Sequence, residues 1–134
     1  MSEKNPDLAR RAIDAFNRRD WDAFLAFMDP DIEFSSRIIE VEGGGPFRGH
    51  DGIRQWWEEG LFAVFPDFQA EIEEVNDFGG LTLARVRQHT QGTEKDAPAD
   101  QTQWHVSEWR NGKVLRWQVF VSEAEALEAA GLRE

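Results

Sequence analysis

The stretch QWHVSEWRNGKVLRWQVF, Gln103 to Phe120, decides how the chain reads. Two strand-like runs flank Asn111-Gly112, a pair suited to a tight hairpin turn. Side chains alternate along a strand, so the pairing register decides which tryptophans face a core and where His105 points. A plain two-residue turn puts Trp109, Val114, Ser107, Arg116, His105 and Gln118 on one face, a mixture of apolar, polar and charged groups. A three-residue loop with Gly112 left-handed at a bulge groups Trp109, Ser107 and His105 with Leu115, Trp117, Val119 and Val121. The opposite face then carries Glu108, Arg110, Arg116 and Gln118, with Val106, Val114 and Phe120 interspersed. The bulged register separates polar from apolar better, and it leaves His105 and Ser107 facing inward among apolar groups.

Upstream of the hairpin, Leu8, Ala12, Ile13 and Phe16 recur at helical spacing, which predicts an amphipathic helix over roughly Pro6 to Asn17. Asp20 is placed to cap a short second helix carrying Trp21, Phe24, Leu25 and Met28, with Pro30 as its stop. DIEFSSRIIEV (31–41) alternates as a strand, and EGGGPFRG (42–49) reads as a flexible turn. Asp51 then caps a third helix with Ile53, Trp56, Trp57 and Leu61 on its apolar side. After Pro66 come strands over 68–76, 80–91, 101–110 and 113–121, with the polar segment GTEKDAPAD (92–100) as a loop. Ser122 and Glu125 stand at capping-box spacing, opening a last helix that Gly131 ends. The order of elements is α+β, with helices on one face of a curved sheet, and 134 residues with no visible repeat form a single domain, 1–134.

Composition removes several function classes. A formal charge of -11 without any basic stripe argues against nucleic acid and against an anionic membrane surface. With no cysteine, disulfides, thiolate chemistry and Cys-based zinc sites are excluded, and the three histidines lack close metal spacing, so no metal and no cofactor is expected. The opening MSEKNPDLARR has no apolar signal region and no run approaches membrane-spanning length, so a cytoplasmic location is expected. Six Trp and ten Phe against no Tyr supply aromatic surface that either fills a core or lines an apolar cavity.

The stretches AFNRRDWDAFLAFMDPDIEF, FRGHDGIRQWW, RVRQHTQG and WRNGKVLRW, closing with EALEAAGL, resemble the SnoaL-like branch of the ketosteroid-isomerase and nuclear-transport-factor-2-like superfamily over nearly the whole chain. The resemblance implies a cone: a strongly bent mixed or antiparallel sheet and N-terminal helices enclosing a hydrophobic pocket. It also implies homodimers. Polyketide cyclases of the family have a pocket histidine where this chain has His105, but their acid–base aspartate falls at Val119. In the steroid isomerases the base falls at Ser36, the oxyanion tyrosine at Ala12 and the protonated aspartate at His105. Neither mechanism transfers intact, and the fold alone does not name a reaction.

His105 is the candidate catalytic residue. Buried among apolar groups it is expected to be neutral, able to accept a proton or to donate a hydrogen bond to a developing enolate. The competing reading is a core histidine satisfied by Ser107 or by a backbone carbonyl. The expected ligand-binding set is Ser36, Trp56, Trp57, Val86, Gln88, Ser107, Trp117 and Val119. Glu40 and Glu42 are the acidic residues that could swing over the pocket mouth, although a solvated loop explains them as well. Arg85, Arg87 and His89 alternate on the opposite parity and belong to the convex face, with Val106, Glu108, Arg116 and Phe120. The function expected is binding of a small hydrophobic or aromatic molecule, with isomerase- or cyclase-type proton transfer or as a carrier. A dimeric association module through the convex sheet is the other expectation.

Overall fold

In the computed structural model, which describes residues 4–37, 39, 43–90 and 99–131, α1 (Asn5–Asn17) and α2 (Trp21–Ala26) are joined by a tight turn. Next come β1 (Met28–Ser36), the two-residue β2 (Phe47–Arg48) and α3 (Gly49–Gln55). This last helix runs on through a π-helical turn (Trp56–Leu61) into one more α turn (Phe62–Val64). Four long strands follow, β3 (Gln69–Asp77), β4 (Leu81–Thr90), β5 (Ala99–Arg110) and β6 (Lys113–Phe120), and α4 (Glu123–Ala129) closes the chain. One open six-stranded sheet results, in the order β2-β1-β6-β5-β4-β3, antiparallel except where β1 lies parallel to β6. The expected α+β class and curved mixed sheet are what the structure has.

The hairpin resolves the register question in a way that combines both alternatives. Asn111 (φ 53°) and Gly112 (φ 78°) are both left-handed, so the turn is the two-residue kind, with Arg110 opposite Lys113 and Trp109 opposite Val114. The ladder then slips: Glu108 pairs with Arg116, leaving Leu115 as the extra residue. Beyond this bulge Ser107 lies opposite Trp117 and His105 opposite Val119, the inward set expected of a bulged hairpin. The bulge therefore sits in β6 and not at Gly112, Val114 is buried beside Trp109, and Leu115 leaves the inward set. Val121 leaves it too, being 45% exposed just past the end of β6.

Other boundaries move for local reasons. β1 begins at Met28 instead of 31, directly after α2, and Pro30 is accommodated where the pairing with β6 breaks between Met28 and Glu33. It therefore does not stop a helix; α2 has already ended at Ala26, after its start is capped by the Asp20 carboxylate accepting from Ala23 N–H (3.2 Å). α3 starts at Gly49, whose φ of +72° turns the chain from β2, so Asp51 sits in the first turn and is not the cap. Ser122 does cap α4, accepting from Glu125 N–H (3.4 Å). Glu40 and Glu42 lie outside the described residues, as does most of the 92–100 loop, although Ala99 and Asp100 already belong to β5.

Two apolar clusters flank the sheet. Phe16, Phe24, Ile32, Phe34, Ile53, Trp57 and Trp117 belong to the larger one, between the sheet and α1, α2 and α3. Phe16 packs against Trp21, Phe24, Trp56, Phe62 and Phe68 at centroid distances of 5.4 to 6.1 Å. On the other face Val106, Phe120 and Ala126 form a second cluster, because α4 packs over β5 and β6 there. Helices consequently cover both faces, and Val106 and Phe120, expected on an open convex face, are buried. Polar side chains fix α1 to the edge strand: the Asn17 amide donates to Ala70 C=O (2.7 Å) and accepts from Ala70 N–H (2.9 Å). Arg19 donates to the carbonyls of Pro66 (2.9 Å) and Phe68 (2.7 Å), tying the turn after α1 to the segment before β3. No described helix is long and apolar enough to cross a membrane.

Candidate functional site

Between α1, α3 and the concave side of the sheet lies a cavity of about 320 Å³. Its wall is mostly apolar: Ile13 and Phe16 from α1, Phe34 from β1, Trp56 and Leu61 from the π-helical turn, Trp117 and Val119 from β6, and Ile39, Phe65, Phe68 and Ala70. The polar lining consists of Ser36, Gln88, Gln101, Gln103 and His105. No carboxylate, lysine or arginine is among the described residues that line it. A molecule inside would meet aromatic rings on several sides and neutral hydrogen-bonding groups from β4 and β5.

A second, smaller space of about 40 Å³ adjoins it, bordered by Met28, Thr82, Ala84, Val86, Ser107 and Trp109 among others. Ile13, His105 and Trp117 border both spaces, so the histidine stands at their common wall. Its ring is tilted 47° against the indole of Trp117 at 5.7 Å, and Trp117 Nε1–H donates to Nδ1 (3.1 Å). Nε2 is sealed from solvent and has no hydrogen-bond partner among the described residues. Burial pushes the imidazole down to about 4, so it is neutral near neutral pH. Neither Ser107 nor a backbone carbonyl is seen to satisfy the ring; its bonding partner is an indole donor.

The expected residues divide between these spaces. Ser36, buried with Ile32 and Phe34 on the inward side of β1, lines the main cavity, together with Trp56, Gln88, Trp117, Val119 and His105. Val86 and Ser107 border only the smaller space. Trp57 is a correction: neighbours on a helix point about 100° apart, so Trp56 reaches the cavity while Trp57 turns into the core. There it stacks on Trp21 at 4.1 Å and is not a pocket wall. The π-helical turn widens the helix where these two tryptophans diverge.

Gln101 and Gln103 were legible and are absent from the expected set. They precede His105 by four and two residues on the same strand, hence on the same face. Gln103 is 3% exposed and accepts a hydrogen bond from the Gln88 side chain. Phe65 and Phe68 had no periodic signal, because they lie on the irregular connection before β3. The other buried titratable group, Asp29, is structural: its carboxylate accepts from Asp31 N–H (2.8 Å) and from Arg110 (3.0 to 3.2 Å). The Asp31 amide and the Arg110 guanidinium hold it below the usual carboxylate range. Among the described residues no group of three His, Asp or Glu is placed to hold a metal.

An open bent sheet enclosing an apolar chamber under N-terminal helices defines the nuclear-transport-factor-2-like class, and solved structures of that class match it. A protein of unknown function from Burkholderia pseudomallei, described as NTF2-like, superposes with a TM-score of 0.78 at 20% identity, over 95% of this chain and 97% of that one. TerC, co-crystallised with polyporic acid, gives 0.77 at 21% identity over 92% and 95% of the two chains. IdmH from Streptomyces antibioticus, a candidate polyketide cyclase, gives 0.75 at 19% identity over 96% and 99%. Within the class, the SnoaL-like domain matches residues 9–117, and the chain belongs to that family. No curated protein matches the sequence.

Proposed function

We propose that this is a cytoplasmic binding protein whose cavity takes one small, uncharged, largely apolar molecule, aromatic for the most part, with a polar edge. The observation that carries the reading is the wall itself: an aromatic chamber whose described polar groups are all neutral. An ionised ligand would leave water without a counter-charge, at a cost that an uncharged one avoids. Trp56, Phe16, Phe34 and Trp117 would sandwich the rings, and Ser36 with Gln88, Gln101 and Gln103 would hold the oxygens. Two structural neighbours bear on the ligand class, one co-crystallised with polyporic acid and the other a candidate polyketide cyclase.

Turnover of the isomerase or cyclase type needs a proton acceptor at the substrate. The described lining holds no carboxylate, Val119 occupies the position where the resemblance puts the cyclase aspartate, and His105 has Nδ1 engaged by the Trp117 N–H and Nε2 sealed. Binding without turnover, as a carrier or sensor, is therefore the better-supported form. A filled or vestigial pocket, as an association module requires, fits poorly with a 320 Å³ cavity. Native mass spectrometry of freshly purified protein tests the proposal. The expected result is a co-purifying small molecule, or tryptophan fluorescence that responds to neutral polycyclic aromatics. Bare chain together with fluorescence indifferent to such a panel would sink it.

A further inference from the structure

Strands β4 and β5 bring two neutral amides together on the cavity wall. Gln88 lies opposite Gln101 in the antiparallel ladder, yet its side chain reaches diagonally to Gln103 and donates an Nε2–H to that amide's oxygen. Neither side chain makes another hydrogen bond among the described residues. The shared bond uses one N–H of Gln88 and one lone pair of Gln103. The Gln88 oxygen and both N–H groups of Gln103 are left over, and the reversed pairing would equally leave one amide oxygen and one NH₂ group. Gln103 is 3% exposed, so its amide is withdrawn from bulk water. Its nitrogen and the Gln88 oxygen are nonetheless not sealed as Nε2 of His105 is, and both residues line the 320 Å³ cavity. A buried amide pair with unmet donors and an unmet acceptor favours a partner that completes both.

We propose that the Gln88–Gln103 pair reads a planar amide or lactam edge on the ligand, whose N–H is given to a glutamine oxygen and whose C=O accepts from a glutamine NH₂. This rests on the binding function proposed above and narrows it to a ligand class. A carboxylic acid ionises near neutral pH, loses its donor and meets a described wall without counter-charge. A ketone, ester or ether brings no donor and would set its lone pairs against the glutamine oxygen. A hydroxyl beside a carbonyl spends its hydrogen on that carbonyl. In a lactam the N–H and C=O are fixed side by side and point away from the ring, so both stay free for the pair. Gln88 and Gln103 are thus specificity-determining residues, while Phe34 and Trp56 supply apolar contact that does not choose between polar edges.

A matched pair of probes tests this: phenanthridone, a tricyclic lactam, and dibenzopyranone, its lactone counterpart, in which a ring oxygen replaces the N–H. Tryptophan fluorescence of the full chain should give the lactam about a tenfold tighter binding, the effect of one buried hydrogen bond. That preference should vanish in the double variant Gln88→Met and Gln103→Met, which keeps the length of both side chains and removes both amides. Proton–nitrogen NMR of the wild type needs no variant: the side-chain NH₂ signals of Gln88 and Gln103 should shift with the lactam. Unmoved NH₂ signals under saturating lactam, or a preference that survives in a folded double variant, overturn the assignment to this pair. Equal affinity for lactam and lactone overturns the donor requirement while leaving the cavity as a binding site. If neither probe binds but another neutral polycyclic aromatic does, this inference falls and the binding function stands; if none binds, both fall.

Discussion

His105 gains no proton in the folded chain until about pH 4, while an unfolded histidine titrates near 6.5. Between these values the unfolded state binds the extra proton, so stability falls as the pH falls through that window and rises as it is raised. The full difference corresponds to roughly 3 kcal/mol, of which about 2 kcal/mol separates pH 7 from pH 5. Urea unfolding of the wild type and His105→Phe at both pH values checks this. The wild type should lose about 2 kcal/mol more than the variant on acidification; identical losses would mean that the imidazole titrates freely and is not buried. Asp29 acts in the same direction on a lower pH range, since a carboxylate held below its ordinary value stabilises the fold until it is protonated. His105 was legible as an inward residue from the alternation of its strand. Its partner was not, because Trp117 is twelve residues away and only the cross-strand pairing sets one ring beside the other.

At the scale of the element, the β5–β6 hairpin carries two independent devices. The turn needs two left-handed residues, and Gly112→Ala at φ +78° should cost about 1 kcal/mol, read as a lower urea midpoint with unchanged slope. Leu115 is the second device, the unopposed residue that offsets the register of the ladder. Deleting Leu115 would remove the extra residue and let the two-residue turn run straight on, with Glu108 still opposite Arg116 and Ser107 still opposite Trp117, so Trp117 and Val119 stay inward. The expected result is cooperative thermal unfolding by circular dichroism, as in the wild type. A deletion variant that loses cooperative unfolding would show that Leu115 does more than offset the register. Hydrophobic segregation in the sequence identified which residues face inward past Glu108. It could not locate the slip, because a bulge at Gly112 and one at Leu115 produce the same segregation from Ser107 to His105.

On the whole-molecule scale the convex face of the sheet bears on assembly. Burial of Val106 and Phe120 beneath α4 leaves the convex sheet largely polar, with Arg85 bonded to Glu73 (3.1 Å) and Glu74 (3.0 Å), and Glu108 and Arg116 exposed in facing positions. We propose a homodimer through this face, in which like patches of mixed sign meet about a twofold axis. Light scattering at tens of micromolar (order of magnitude, for an interface of standard size) should give twice the chain mass, and raising the salt should shift it toward monomer. A monomer at low salt would count against the interface.

The sequence by itself determined the element types, the α+β class and most of the inward-facing residues, because periodicity, caps and alternation are local properties that short segments express directly. Ser36, Trp56, Gln88, His105, Trp117 and Val119 all reach the cavity for that reason. Only the tertiary structure decided that Trp57 belongs to the core and stacks on Trp21, that α4 crosses to the far face, and that Gln101 and Gln103 join the lining. It alone decided that the Trp117 N–H meets Nδ1 of His105 as well. These are relations between residues distant in the chain, set by packing and cross-strand register, and no local pattern encodes which distant neighbour a side chain will meet.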